Sequence, residues 1–184
     1  MDIWTSLAKF SLIETQRLIL RPFTFADSQA FFAISGQKEP LPFIFPAPLT
    51  QKESDYLLVH DFLKHPLGIW AIEDKQNNQL LGSIRLEKIN PEEKRAEVGY
   101  FIDREVWGQG YATEALKTLV FLAFQEFLLT ELLIITHAEN VASQHVAQKA
   151  GFRYLKQFKG SDRYNRQIKS YKLFSMTKGD YYYE

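Results

Sequence analysis

Cysteine is absent from all 184 residues. That excludes disulfides and thiolate metal sites, and it leaves no thiol nucleophile for covalent catalysis. Net charge is absent too, since 22 Lys plus Arg balance 22 Asp plus Glu. Without excess positive charge the chain has no general pull toward nucleic acid or an anionic membrane surface. No run approaches the roughly 18 apolar residues of a membrane-spanning helix. The first residues, MDIWTSLAKFSLIETQR, lack a basic segment followed by a long apolar one, so they do not read as a secretory signal. The expected compartment is the cytoplasm. No repeat, low-complexity tract or Gly/Ser linker divides the chain. The four histidines, His60, His65, His137 and His145, show no metal-ligand spacing such as H-E-x-x-H, and no metal site is expected.

What is present is ordinary globular composition. Hydrophobic residues at 46% and charged residues at 24% argue against disorder. The length suits one domain over residues 1–184, able to bury about 70% of the surface of its unfolded chain. Arg17 to Pro22 alternates charged and apolar residues like an edge strand. Asp27 can cap a helix from Ser28 to Ser35, and Thr50 with Glu53 forms a capping box for a second helix reaching Leu63. Strands are predicted over 69–73, 80–89 and 95–102, with Asn77-Asn78 as the first turn. Four prolines crowd the segment from Glu39 to Leu49. Leu41, Phe43, Ile44, Phe45 and Leu49 there suggest either a loop packed on the core or a wall of the substrate site.

The period then changes. Ala112, Ala115, Leu116, Leu119, Ala123 and Phe127 mark one face of a helix of about 16 residues. Leu132 to Thr136 reads as a strand buried on both faces. Val141 to Ala150 reads as a helix stopped by Gly151. Strands over 152–159 and 168–176 close the chain. The order β-α-α-β-β-β-α-β-α-β-β predicts an α/β (α+β) fold with a central mixed sheet flanked by helices. Phe10, Phe23, Phe31, Phe32 and Trp70 are expected in the core. The run from Tyr181 to Tyr183 is expected to pack as a tail or to form an interface.

Chemistry concentrates in Ala96 to Ala115, AEVGYFIDREVWGQGYATEA. Gly108 and Gly110 allow a tight turn and close ligand approach. The helix that follows offers unpaired N–H groups and the positive end of its dipole, which together suit a pyrophosphate. Taken alone, the stretch also fits a Gly-rich turn with no ligand. A dinucleotide fingerprint fits only half: the third glycine position is Thr113, the loop lies mid-chain, and Glu131 opens rather than closes its strand.

The flanks are more specific. AEVGYFIDREVWGQGYATEAL resembles the acetyl-CoA-binding motif of GNAT N-acetyltransferases, whose loop reads Gln/Arg-x-x-Gly-x-Gly/Ala. Gly110 and Ala112 fit its last two places, whereas Trp107 stands where Gln or Arg is usual. The form WGQGYATEA is similar to the ribosomal-protein N-terminal acetyltransferase branch. So are TQRLILRP near the start and Asn140-Val-Ala-Ser143 followed by Gln148-Lys-Ala-Gly-Phe152. The resemblance runs from about Glu14 to Met176, the expected core of the domain. It implies a mostly antiparallel mixed sheet in which the strands over 95–102 and 132–136 splay apart after a bulge near Gly99. It also implies acetyl-CoA as cosubstrate. Tyr100, Phe101 and Ile102 would pair with the pantetheine arm. The amides of Gly108, Gln109, Gly110, Tyr111, Ala112 and Thr113 would hold the pyrophosphate. Asn140 would bond the pantetheine amide, with Ser143 beside it.

Acetyl transfer needs a neutral amine, so a base must remove a proton and a donor must hold the oxyanion. By the same resemblance Glu97 is the candidate base, and the amide of Phe101 or Ile102 the oxyanion donor. Glu97 could equally be a surface residue paired with Arg95 or Arg85. Many family members place a Tyr acid where this chain has Ala147, so Ser143 or water would protonate the leaving thiolate. His137, closing its strand, could approach the acetyl group or make a structural hydrogen bond. The acceptor is a primary amine: a protein N-terminus, a small amine or an amino sugar. A basic ribosomal protein would call for an acidic patch, for which Glu87, Glu92, Glu93 and Glu97 are candidates. The resemblance also allows a homodimer. The alternative, motivated by Ala147, is a CoA-binding sensor or inactive scaffold.

Overall fold

The capping box read at Thr50 forms in the computed structural model, which describes residues 1–37 and 45–183. Thr50 accepts from the Glu53 amide at 3.2 Å and Glu53 returns the bond, opening helix α3 (Gln51–Leu58). The helix continues to Leu63 as expected, but its last stretch, Val59–Leu63, is a π-helical turn. Helix α2 (Ser28–Ser35) has the expected limits. Its cap differs from expectation. Asp27 does not cap α2; its carboxylate turns back to accept from the Thr24 amide at 2.9 Å and from Arg21 at 2.7 and 2.9 Å. A charged guanidinium is the stronger partner.

Eight strands line up in the order β1-β2-β3-β4-β5-β6-β8-β7. They are β1 (Ile13–Glu14), β2 (Leu18–Arg21), β3 (Ile69–Asp74), β4 (Leu80–Asn90), β5 (Arg95–Ile102), β6 (Glu131–His137), β7 (Arg153–Ser161) and β8 (Ile168–Thr177). The β1–β2, β2–β3, β3–β4, β6–β8 and β7–β8 pairs are antiparallel, and β5–β6 is parallel. The sheet is thus mixed and mostly antiparallel, as expected. The parallel register joins Arg95–Glu97 to Glu131–Leu133, although both strands run on for four or more residues. Helices α4 (Tyr111–Gln125) and α5 (Val141–Lys149) follow β5 and β6. Gly151, at φ +97°, ends α5 in the left-handed conformation expected of it.

Three elements carry too little local pattern to be predicted: α1 (Ile3–Lys9), capped by Asp2, the two-residue β1, and α6 (Lys178–Tyr182), which has a Thr177–Asp180 capping box. The burial of β6 also differs from expectation. Leu132, Ile134 and Thr136 are buried, but Ile135 is 36% exposed, so the strand alternates. A strand covered on one face needs apolar residues only at every second position.

The chain clusters into two units. The first comprises Met1–Arg85 with Tyr100–Ala115. Its core joins Phe23, Phe31, Ile34, Phe45, Leu58, Phe62, Ala71, Leu80 and Phe101. Phe31 meets Phe62 edge-on at 5.2 Å, and Phe45 meets Phe101 at 5.4 Å. Trp70 is also buried, and its indole N–H donates to the Phe10 carbonyl at 3.0 Å. Of the proline-rich segment, Phe45 is buried and Leu49 exposed, while Leu41, Phe43 and Ile44 lie outside the described residues.

The second unit comprises Leu86–Gly99 with Leu116–Glu184. Within it Leu116, Leu119, Ala123 and Phe127 are buried as the helical spacing predicts, joined by Phe124, which that spacing does not include. Tyr181 packs on Phe124 with ring centroids 5.6 Å apart, so the tyrosine tail starts as packing.

Candidate functional site: a glycine loop on a helix N-terminus

The end of β5 and the start of α4 lie in the first unit and are joined by a fastened loop. Asp103 is buried and accepts from the Glu105 amide at 3.1 Å and from Gln37 at 2.9 Å. Trp107, at the place of the usual Gln or Arg, donates its indole N–H to the Ile102 carbonyl at 2.9 Å. The departure from the family pattern therefore ties the loop to the strand end. Gly108 and Gly110 follow, at φ +77° and +82°, where a side chain would be strained. A Cβ on Gly108 would meet nothing within 4 Å, which leaves open space at the loop. Tyr111, Ala112 and Thr113 form the first turn of a 15-residue helix, whose amides have no partner within the helix. Positive φ, open space and helix-end amides fit a pyrophosphate.

Two residues to which the sequence alone assigns no role fasten this loop from beneath. Glu114, on the first turn of α4, accepts from the Thr15 hydroxyl at 2.7 Å, the Arg17 amide at 2.8 Å and the Arg17 Nε at 2.6 Å. Burial works against the ionised Glu114 carboxyl, but these hydrogen bonds outweigh it and hold it below its ordinary range. Arg17 Nη1 also donates to the Gln109 carbonyl at 2.8 Å, and the guanidinium lies 4.4 Å from the centre of the Tyr111 ring. The only signal in the sequence is that these residues sit inside the two quoted motifs, TQRL and ATEAL.

Upstream on β5, the Phe101 side chain is committed to the core, while its backbone approaches β4 closely. A Cβ on Gly82 would fall 2.0 Å from the Phe101 carbonyl oxygen. The Asp103 amide donates to Leu81 at 2.7 Å. The Phe101 carbonyl thus faces β4, and in a planar trans peptide the Ile102 N–H points the other way. Tyr100, Phe101 and Ile102 belong to the first unit, as do residues 108–113.

Glu97, Asn140 and Ser143 belong to the second unit. Glu97 pairs with neither Arg95 nor Arg85. It accepts from Lys88 Nζ at 2.9 Å, while Arg95 bonds Glu93 and Arg85 lies over the Phe62 ring. Lys88 is 65% exposed, so the Glu97 pair is weak and easily broken. Glu87 is paired with Arg163 at 3.2 and 3.3 Å. Three of the four acidic-patch candidates are therefore neutralised locally. Asn140 accepts from the Ser143 amide at 3.2 Å and so caps α5. Ala147 is fully buried. His137 lies 3.5 Å from Asp162 and against the Tyr171 ring. Burial lowers its affinity for a proton, against the pull of Asp162. Among the described residues no group of three His, Asp or Glu side chains could hold a metal ion, and no helix is long and apolar enough to cross a membrane.

This geometry can be set beside known proteins. Residues 17–153 match the family model described as an acetyltransferase (GNAT) domain. The chain belongs to the GNAT acetyltransferases. It is similar to the uncharacterized N-acetyltransferase YoaA of Bacillus subtilis (strain 168), with 30% identity over 78% of this chain and 84% of YoaA. It is also similar to the ribosomal-protein-serine acetyltransferase of Escherichia coli (strain K12), at 34% identity over 42% of this chain and 43% of that one. The crystal structure of a GNAT-family acetyltransferase from Bacillus anthracis superposes with a TM-score of 0.81. It covers 91% of this chain and 99% of its own at 21% identity, which speaks to the fold. This GNAT protein is thus an acetyl-CoA-dependent acetyltransferase, and acetyl-CoA is its cosubstrate.

Proposed function

We propose that this acetyltransferase, acting as one domain in the cytoplasm, acetylates a primary amine at a peptide or protein N-terminus. The observation that carries the donor side is the glycine loop at positive φ on the α4 N-terminus. The amides of Gly108, Gln109, Gly110, Tyr111, Ala112 and Thr113 hold the pyrophosphate, and Tyr100 to Ile102 pair with the pantetheine arm. Asn140 bonds the pantetheine amide. Bound there, acetyl-CoA supplies an activated acyl thioester. The acceptor side is supported by the name of the Escherichia coli relative, a ribosomal-protein-serine acetyltransferase.

Each chemical role falls to a group already described. Glu97 takes a proton from the acceptor ammonium, directly or through water, giving up its exposed Lys88 partner as it does so. The Ile102 N–H, turned away from β4, faces the developing oxyanion. As the C–N bond forms and the C–S bond breaks, the nitrogen gives up its second proton and the thiolate gains one, relayed through the Ser143 hydroxyl or water. A thiolate is a tolerable leaving group, with a thiol pKa of about 8.5, so the buried Ala147 in place of a Tyr acid is no obstacle. A chain without cysteine supports direct transfer in a ternary complex.

The acceptor class is tested with acetyl-CoA and three amines: a Ser-initiated peptide, the same peptide blocked at its N-terminus but bearing lysine, and a polyamine. The expected result is acetylation of the free α-amine alone, located by fragmentation mass spectrometry. Preference for the polyamine or for the lysine would overturn the acceptor.

A further inference from the structure

We propose that Arg17 is a positioning residue for the acetyl-CoA pyrophosphate, aiming the loop amide of Gly110 without itself touching the phosphate. The inference rests on the reading of residues 108–113 as the pyrophosphate cradle. Arg17 Nη1 holds the Gln109 carbonyl at 2.8 Å. That carbonyl and the Gly110 N–H share one planar trans peptide, so they point in opposite directions. Fixing the oxygen toward Arg17 therefore fixes the N–H on the side away from it. A peptide beside glycine is otherwise free to flip, because glycine has low barriers on both sides of its φ range.

The guanidinium is itself held on three sides. Its Nε bonds Glu114 at 2.6 Å, and Glu114 is carried by the same helix whose N-terminus the loop opens. The Arg17 amide and the Thr15 hydroxyl bond the other Glu114 oxygen. The Tyr111 ring covers the guanidinium, and the Tyr111 hydroxyl reaches Asp74 at 3.5 Å. A planar fork of donors can serve a carboxylate and a carbonyl together; a lysine ammonium cannot reproduce that geometry.

The test compares acetyl-CoA with S-acetylpantetheine, a donor without the pyrophosphate. Arg17→Ala, Arg17→Lys and Glu114→Gln are each expected to raise KM for acetyl-CoA by about 10–100-fold, the range for a lost charged hydrogen bond. KM for S-acetylpantetheine and kcat with either donor should stay at the wild-type level. If Arg17→Ala does not fold, shown by loss of its thermal transition, the comparison is made with Arg17→Lys. Equal losses with both donors would overturn the proposal, because Arg17 would then be merely structural. Restoration of acetyl-CoA affinity in Arg17→Lys would also overturn it, showing that charge rather than geometry matters. A wild-type enzyme that does not discriminate between the donors would instead sink the cradle reading itself.

Discussion

Glu97→Gln is expected to lower kcat at saturating acetyl-CoA and amine by about 10²–10⁴-fold, the usual contribution of a positioned base. The substitution keeps size and hydrogen-bonding capacity, so the contact with Lys88 can persist and the fold should not suffer. What is lost is the site that receives the proton. An α-amine is half protonated near pH 7.7–8.0, so much of the acceptor enters as ammonium at neutral pH and needs that site. The variant should recover at alkaline pH, where the amine arrives neutral, and the gap from wild type should narrow there. Initial rates measured across about pH 6–9 test this directly. Rates unchanged over that range would make Glu97 a surface residue paired with Lys88 at 2.9 Å and nothing more.

Gly82→Ala should cost about 3 kcal/mol of stability, the upper part of the range for forced overpacking. The new Cβ would lie 2.0 Å from the Phe101 carbonyl oxygen and 3.0 Å from two further backbone atoms. Backbone on both sides cannot rotate out of the way as a side chain would. Strands β4 and β5 must therefore separate at Phe101 and Ile102. In a chain of this size the loss should lower the thermal midpoint by about 6–12 °C. Gly108→Ala is the informative contrast. Its Cβ would meet nothing, and only the φ of +77° opposes it, so about 1–2 kcal/mol is expected. Calorimetry on the two variants separates close approach from backbone conformation. Equal midpoints would contradict the contact geometry at Gly82.

The parts of this molecule that are legible in the sequence are those written locally. The Thr50–Glu53 box, the 3.6 period of α4 and the Gly108–Gly110 pair each lie within a few residues and carry their own physical cause. Helix α1 is only seven residues long, too short for a periodicity to appear, although Asp2 is a sound cap. The π-helical turn after Leu58 has no local marker in the sequence. Asp27 sits where a cap for α2 belongs, yet it answers to Arg21, six residues back. Arg95 and Arg85 are the obvious partners for Glu97 in sequence, but the turn between β4 and β5 brings Lys88 to it, nine positions earlier. The Arg17–Glu114 clamp spans 97 positions, and no pattern within either segment encodes the distance between them. The glycine loop is therefore readable in the sequence, and what holds it in place is not.

The central claim is that residues 108–113 hold the pyrophosphate of acetyl-CoA. Thermal unfolding with acetyl-CoA, beside NAD at equal concentration, tests it most directly. At about 100 times Kd a ligand stabilises the native state by about 2.7 kcal/mol, which is roughly 5–11 °C for a chain of this size. The account predicts that shift with acetyl-CoA and none with NAD. No shift with acetyl-CoA, or an equal one with NAD, would contradict it.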